Sequence, residues 1–242
     1  MNCPLKMIMS TIVSNLQAVD ASIVAAAQAA GRARADIKLL AVSKTFPAEA
    51  VLEAVGAGQT RFGENYLQEA LDKMVLVSEA LGGQKIEWHF IGPLQSNKTR
   101  PVAESFDWVH TVDRLKIAQR LSDQRPVGTV PLNICLQVNI SGEASKSGVK
   151  PEELAELALH VAQLPRLRLR GLMAIPEATS DPEQQRAAFA RLRHLYEALI
   201  RDGISLDTLS MGMSADLGPA VLEGATIVRV GSAIFGSRNY ET

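Results

Sequence analysis

The chain is poor in the features that would place it in most specialised classes. Its 242 residues include two cysteines, Cys3 and Cys135. One lies near the N-terminus and the other inside an apolar run, which excludes a disulfide framework and makes Cys135 read as a buried thiol of a cytosolic protein. Neither sign of charge prevails: 25 Lys and Arg stand against 26 Asp and Glu, a formal net charge of -1. A chain without a basic field gives no reason to expect nucleic acid or anionic membrane as a partner. No run approaches the ~20 apolar residues of a membrane span. The start, Met1-Asn2-Cys3-Pro4-Leu5-Lys6, lacks the charged opening and apolar core of a signal peptide. A cytoplasmic protein is expected. No Cys/His set has metal-ligand spacing, and no Ser/His/Asp order stands out. No Gly-x-Gly-x-x-Gly follows the first strand, so a dinucleotide fold is not supported.

What is present is a globular composition, 47% hydrophobic and 21% charged, with ample material for a core. The chain is organised around Ile37-Lys38-Leu39-Leu40-Ala41-Val42-Ser43-Lys44-Thr45-Phe46-Pro47. The apolar run Ile37 to Val42 is too short for a helix and is closed by Pro47, so it reads as a strand buried on both faces. Lys44 sits where that strand emerges, between apolar Val42 and Phe46, which disfavour a charged amine. Such a lysine can attack a carbonyl and form a Schiff base; taken alone, it reads first as a solvated strand end.

Residues 1–9 carry little pattern and are expected to be poorly ordered, with Met7 or Met9 as alternative starts. From Ser10 or Thr11 a helix carries Ile12, Leu16, Val19, Ile23, Ala27 and Ala30 on one face and ends at Gly31. Strand and helix then alternate. The strands are Ile37–Ser43, Thr60–Gly63, Glu87–Gly92, Trp108–Val112, Leu132–Asn139, Leu169–Ile175, Thr208–Gly212 and Ile227–Phe235. Helix starts are read at Pro47, near Ser96, at Asp113, Pro151 and Asp181-Pro182, and near Ala215. Eight strands alternating with helices predict a single α/β domain over residues 10–242, a closed (β/α)8 barrel with an extra N-terminal helix.

In such a barrel the site lies at the C-terminal ends of the strands. The exits present Lys44, Glu64-Asn65, Gly92-Pro93, Asn139, Ser210-Met211-Gly212-Met213-Ser214 and Arg229-Val230-Gly231-Ser232. The last two have the character of a phosphate site: a small-residue turn opening a helix at Ser214, and a second turn with close backbone access at Gly231-Ser232. Ordinary turn and cap chemistry explains the same residues. Arg229 lies within an apolar strand on the face of Ile227 and Gly231, so it pairs with an acid or serves a ligand. His89 reads as a satisfied core histidine. Glu143 and Lys146, in the loop after the fifth strand, read as a mutual pair.

The ordered motifs are Ala41-Val42-Ser43-Lys44, Phe62-Gly63-Glu64-Asn65-Tyr66, His89 to Lys98, Val138-Asn139-Ile140-Ser141 with Ser145-Lys146-Ser147-Gly148, Leu209 to Ser214, and Arg229 to Gly236. Together they resemble the pyridoxal 5′-phosphate homeostasis proteins, the YggS/PROSC family, whose barrel is similar to the N-terminal domain of alanine racemase. The resemblance implies that Lys44 carries pyridoxal 5′-phosphate as an internal aldimine. It implies that Ser214, Gly231 and Ser232 hold the phosphate, that Met213 also contacts the cofactor, that Arg229 faces the pyridine nitrogen, and that Asn65 lies near the ring. Ser232 stands where many relatives have threonine. Amino acids as external aldimines and apo-enzymes awaiting cofactor are the implied partners, and Lys146 is near a conceivable second cofactor site. A carrier with little or no turnover is the first reading and an amino-acid racemase the second. Only Tyr66 is a tyrosine placed to serve as a second acid–base group. A monomer is expected, since no helix leaves a second long apolar stripe.

Overall fold

The computed structural model describes residues 11–142 and 147–236. Ser10, the Glu143–Lys146 pair and Tyr240 lie outside the described residues. The strands are β1 Lys38–Val42, β2 Arg61–Glu64, β3 Glu87–Phe90, β4 Trp108–Val112, β5 Leu132–Gln137, β6 Leu167–Met173, β7 Thr208–Ser210 and β8 Ile227–Val230. They pair in parallel, each with the next, and β1 closes on β8 with Leu40 opposite Arg229. This is the expected (β/α)8 barrel.

Nine α-helices are found among the described residues: α1 Thr11–Ala29, α2 Ala48–Gly56, α3 Leu67–Leu81, α4 Thr99–Ser105, α5 Leu115–Gln124, α6 Leu154–Ala162, α7 Pro182–Arg201, α8 Leu217–Leu222 and α9 Ser232–Phe235. The apolar face read for α1 is the buried one, with Leu16, Val19, Ile23 and Ala27 against the body. This helix packs on α8, α9 and α2, closing the outer ring where the first and last units meet. Its position is fixed by polar contacts too, Asn15 donating to the Ile234 carbonyl at 2.9 Å. Asp181 caps α7 as expected, its carboxylate accepting the Glu183 N–H with Pro182 in the first turn. Asp113 does not cap α5; it pairs with Arg114 at 2.7 Å instead.

Most apolar side chains pack between the sheet and the helices. A second, smaller cluster fills the barrel itself: Leu40, Trp108, Cys135, Met173 and Ile227, with Ile91 against it. The alternation of the strands therefore assigns Leu40, and with it Lys38 two residues away, to the inner face. At the N-terminal end of the barrel Arg170 closes the interior, bonded to Asp207 and Asn133 and lying 4.7 Å from the Trp108 ring centre. No helix of the described residues is long and apolar enough to cross a membrane.

Candidate functional site

The exits of β1, β2, β3, β7 and β8 are tied into one rim by backbone contacts. The Ser43 N–H donates to Gly63 O at 3.0 Å, Ile91 N–H to Glu64 O at 2.8 Å, and Arg229 N–H to Gly212 O at 2.9 Å. The Phe46 and Phe235 rings, 5.2 Å apart, join the loop after β1 to α9. The predicted residues Lys44, Asn65, Arg229 and Gly231 thus stand at one end of the barrel.

Lys44 is half-buried in the turn after β1. That turn is unusual: Thr45 holds φ at 67°, a left-handed conformation that a β-branched residue adopts only under constraint. The constraint comes from α3. Glu69 accepts the Thr45 N–H at 2.7 Å, and Lys73 donates to Ser43 O at 2.8 Å and to Glu64 and Glu69 at 2.7 and 2.9 Å. Glu64 is fully buried and also accepts from Ser43 Oγ at 2.7 Å. Burial raises its pKa, against the lowering effect of Lys73 and of the Ser43 hydroxyl. Sequence reading missed Lys73, since a lysine among the apolar positions of an amphipathic helix gives no periodic signal; its i,i+4 spacing from Glu69 was the available clue.

Asn65 follows β2, and its Oδ1 is buried without a hydrogen-bond partner. An orphaned buried acceptor is a marker of a missing partner. The backbone that carries it depends on Gly92, where any Cβ would lie 2.1 Å from Asn65 O.

Arg229 is almost fully buried and makes no ion pair among the described residues, which decides against the structural-pair reading. Its guanidinium donates to Ser210 Oγ at 2.8 Å and to Ala174 O at 3.0 Å. These use two of its five N–H donors. Burial lowers its pKa to about 10, which leaves it charged at neutral pH.

The two turns differ from expectation in their helices. Strand eight ends at Val230, not Phe235: Gly231 turns the chain and caps the four-residue α9 that Ser232 opens. After β7 the six-residue α8 begins only at Leu217, so Met213 and Ser214 lie in an exposed turn ahead of it. Gly212 makes that turn at φ 92°, where a Cβ would meet the Ala220 side chain at 2.5 Å. Asp216 secures it by accepting the Met213 N–H at 2.6 Å. With helices this short, an anion would be held by turn N–H groups and the hydroxyls of Ser214 and Ser232 rather than by a helix dipole. Gly231 lies against β1, its Cβ direction 3.2 Å from Val42 O, so the second turn borders the Lys44 strand.

Tyr66, the one tyrosine near this rim among the described residues, is 52% exposed. Tyr196 bonds to Leu206 O ahead of β7, at the other end of the barrel. A cleft of about 800 Å³ lies at that N-terminal end, lined by Asp20, Arg34, Lys38 and Arg61 among others. Both of its arginines are already paired, Arg34 with Asp20 and Arg61 with Glu87.

The sequence and fold match known proteins. The family described as alanine racemase, N-terminal domain, matches residues 14–239. A pyridoxal phosphate homeostasis protein of Pseudomonas aeruginosa is 63% identical over 232 residues, 96% of this chain and 98% of that one. The chain belongs to the pyridoxal phosphate homeostasis family. The Escherichia coli member is 54% identical over 239 residues, 96% of this chain and 99% of that one. The structure of PipY from Synechococcus elongatus, solved with PLP bound, superposes with a TM-score of 0.80 at 36% identity, covering 93% of this chain and all of that one.

Proposed function

We propose that this protein binds pyridoxal 5′-phosphate at the C-terminal rim of the barrel and serves its homeostasis, holding and delivering the cofactor rather than turning over substrate. The observation that carries the reading is the donor set at the rim. An amine in the turn after β1 (Lys44), an unpartnered buried acceptor (Asn65) and a charged, partly unspent guanidinium (Arg229) face one site beside two hydroxyl-bearing turns. That set fits an aldehyde, a phenolic ring oxygen or ring edge, an acceptor nitrogen and a phosphate. Lys44 would be the covalent anchor, Asn65 and Arg229 would orient the ring, and Met213, Ser214, Gly231 and Ser232 would surround the phosphate.

When bound, pyridoxal 5′-phosphate supplies an electrophilic aldehyde and, where its ring nitrogen is protonated, a sink for electrons. The chain's own residues limit the second capacity. Arg229 holds its protons at neutral pH and can only donate, so the group opposite it accepts and stays unprotonated. Chemistry at a substrate α-carbon also needs an acid–base group on each face. Lys44 offers one. Glu64 is turned to the outer face of β2 and tied to Lys73, and Tyr66 is exposed at the rim. We therefore expect amino acids to perturb the cofactor spectrum, while L-alanine and L-serine neither racemise nor transaminate at enzyme rates of about 1–10³ per second. Proton exchange at the α-carbon in deuterated water, followed by NMR beside transfer of cofactor to an apo-enzyme, tests this. Rapid exchange that depends on Lys44 would restore the racemase reading.

For the phosphate, Ser214→Ala removes one hydroxyl donor to a charged acceptor, roughly 1.5–3 kcal/mol of binding. Ser214→Asp adds repulsion and should weaken cofactor affinity further, read by titration. Unchanged affinity in the aspartate variant would move the phosphate elsewhere.

The large exposed apolar side chains of the described residues are spread over separate elements, among them Val75 and Leu76 on α3, Val127 and Val130 after α5, Leu159 on α6, Ile200 on α7 and Leu222 on α8. Among the described residues this spread gives no sign of one large self-complementary patch. Sedimentation should therefore show a monomer; a concentration-independent dimer would contradict it.

A further inference from the structure

A file of hydrogen-bonded polar side chains runs through the barrel interior to Arg229, and the cofactor reading does not by itself call for it. Glu87 and His89 come from β3, His110 from β4, Ser210 from β7 and Arg229 from β8. Glu87 Oε1 lies 2.8 Å from His89 Nε2, and His89 Nδ1 lies 2.8 Å from His110 Nε2. His110 Nδ1 is 2.8 Å from Ser210 Oγ, to which the Arg229 guanidinium donates at 2.8 Å. His89, His110 and Ser210 are buried, and the Trp108 ring stacks on His89 at 5.3 Å. Glu87, at the first residue of β3, is the one member open to solvent, at 38%.

The chemistry of the two ends fixes the direction of every bond between them. Arginine only donates, and an ionised carboxylate only accepts. Burial opposes ionisation of Glu87 but is outweighed by the His89 hydrogen bond, by the charge of His89 when that ring is protonated, and by the Trp108 hydrogen bond and Arg61, so its pKa is lowered to about 2 and it is ionised at neutral pH. Burial pushes both imidazoles down, His110 the further because His89 and Arg229 adjoin it. With both rings neutral, each has one donor and one acceptor. His89 must then carry its proton on Nε2 towards Glu87, and accept on Nδ1. His110 must carry its proton on Nε2 towards His89, and accept the Ser210 hydroxyl on Nδ1. Ser210 in turn accepts from Arg229. One arrangement satisfies all four links, and it runs from the cofactor rim to the opposite end of the barrel.

We propose that Glu87, His89, His110 and Ser210 are positioning residues, a one-way hydrogen-bond relay that holds Arg229 in place and sets how it presents its remaining donors to the ligand. A purely structural filling would not need this order, since Leu40, Cys135, Met173 and Ile227 fill the same interior with apolar groups. Aligned hydrogen bonds polarise one another in a low-dielectric interior. The relay thereby couples the ring side of the site to a carboxylate four links away. Its ligand arm rests on the proposed cofactor site; its proton arrangement does not.

The test has two arms. In the ligand-free protein at neutral pH, ¹⁵N-edited imidazole NMR should show His89 and His110 both as neutral Nε2–H tautomers. An Nδ1–H tautomer or an imidazolium at either residue overturns the relay. In the second arm, pyridoxal 5′-phosphate is titrated into wild type, Glu87→Gln and Ser210→Ala. Both variants should shift the bound cofactor's absorbance and weaken affinity about tenfold, as expected for disturbing a hydrogen bond to a charged group. Ser210→Ala keeps close to the native volume and serves if Glu87→Gln does not fold. A folded variant with wild-type spectrum and affinity overturns the positioning role. If wild type itself takes up no cofactor at Lys44, the cofactor reading fails while the tautomers still decide the relay.

Discussion

Lys44→Ala is expected to abolish both the visible absorbance of the cofactor-loaded protein and the borohydride-fixed adduct, leaving at most weak binding through the phosphate and ring contacts. The physical argument is positional. Lys44 stands in the turn after β1, whose Leu40 lies in the barrel's internal cluster, at the end where the other candidate residues converge. Its turn is pinned from two sides, by Gly63 O through the Ser43 N–H and by Glu69 through the Thr45 N–H. A long side chain launched from a pinned backbone loses less freedom when it engages a ligand. Other lysines lack that placement: Lys38 lies at the N-terminal end, with Nζ 5.9 Å from the Trp108 ring centre, and Lys98 ends a short 3₁₀ turn. Peptide mapping of the reduced adduct by mass spectrometry is the check. A label on Lys38, Lys98 or Lys146 would refute the assignment.

Lys73→Met should be the most destabilising single change among the residues supporting the site, by roughly 3–5 kcal/mol at neutral pH, because it strands a buried carboxylate. Glu64 is fully buried, and Lys73 supplies its cationic partner at 2.7 Å. Burial already raises the Glu64 pKa, and Lys73 is the largest influence holding it down. Without Lys73 the folded state binds a proton that the unfolded state, with an ordinary carboxyl, does not. Stability of the variant must then fall as pH rises from the ordinary glutamate range through the raised folded pKa, and recover on acidification. Denaturant unfolding across that window measures the slope. Adding Glu64→Gln to Lys73→Met removes the buried charge and should recover much of the loss. If Lys73→Met unfolds at the same denaturant concentration as wild type at pH 7, the cluster does not support the turn.

The amino-acid sequence by itself determined the elements and their faces. Eight apolar runs too short for helices, separated by amphipathic stretches, fixed a parallel α/β architecture, because side-chain period is set within each element. The inner face of β8 with Ile227, Arg229 and Gly231, and the buried face of α1, followed from the same local rule. Where a run ended was less legible: Ala233, Ile234 and Phe235 continue an apolar stretch, and periodicity over four residues cannot separate a strand from the short α9. Only the tertiary structure decided which side chains meet. His110 and Ser210 are 100 residues apart, and Lys73 and Ser43 are 30 apart. Their contacts depend on barrel closure and strand register, which no single segment encodes. The same closure brought the Arg229 guanidinium to Ser210 and not to an acid, since it set β7 beside β8, and among the described residues no carboxylate pairs with it.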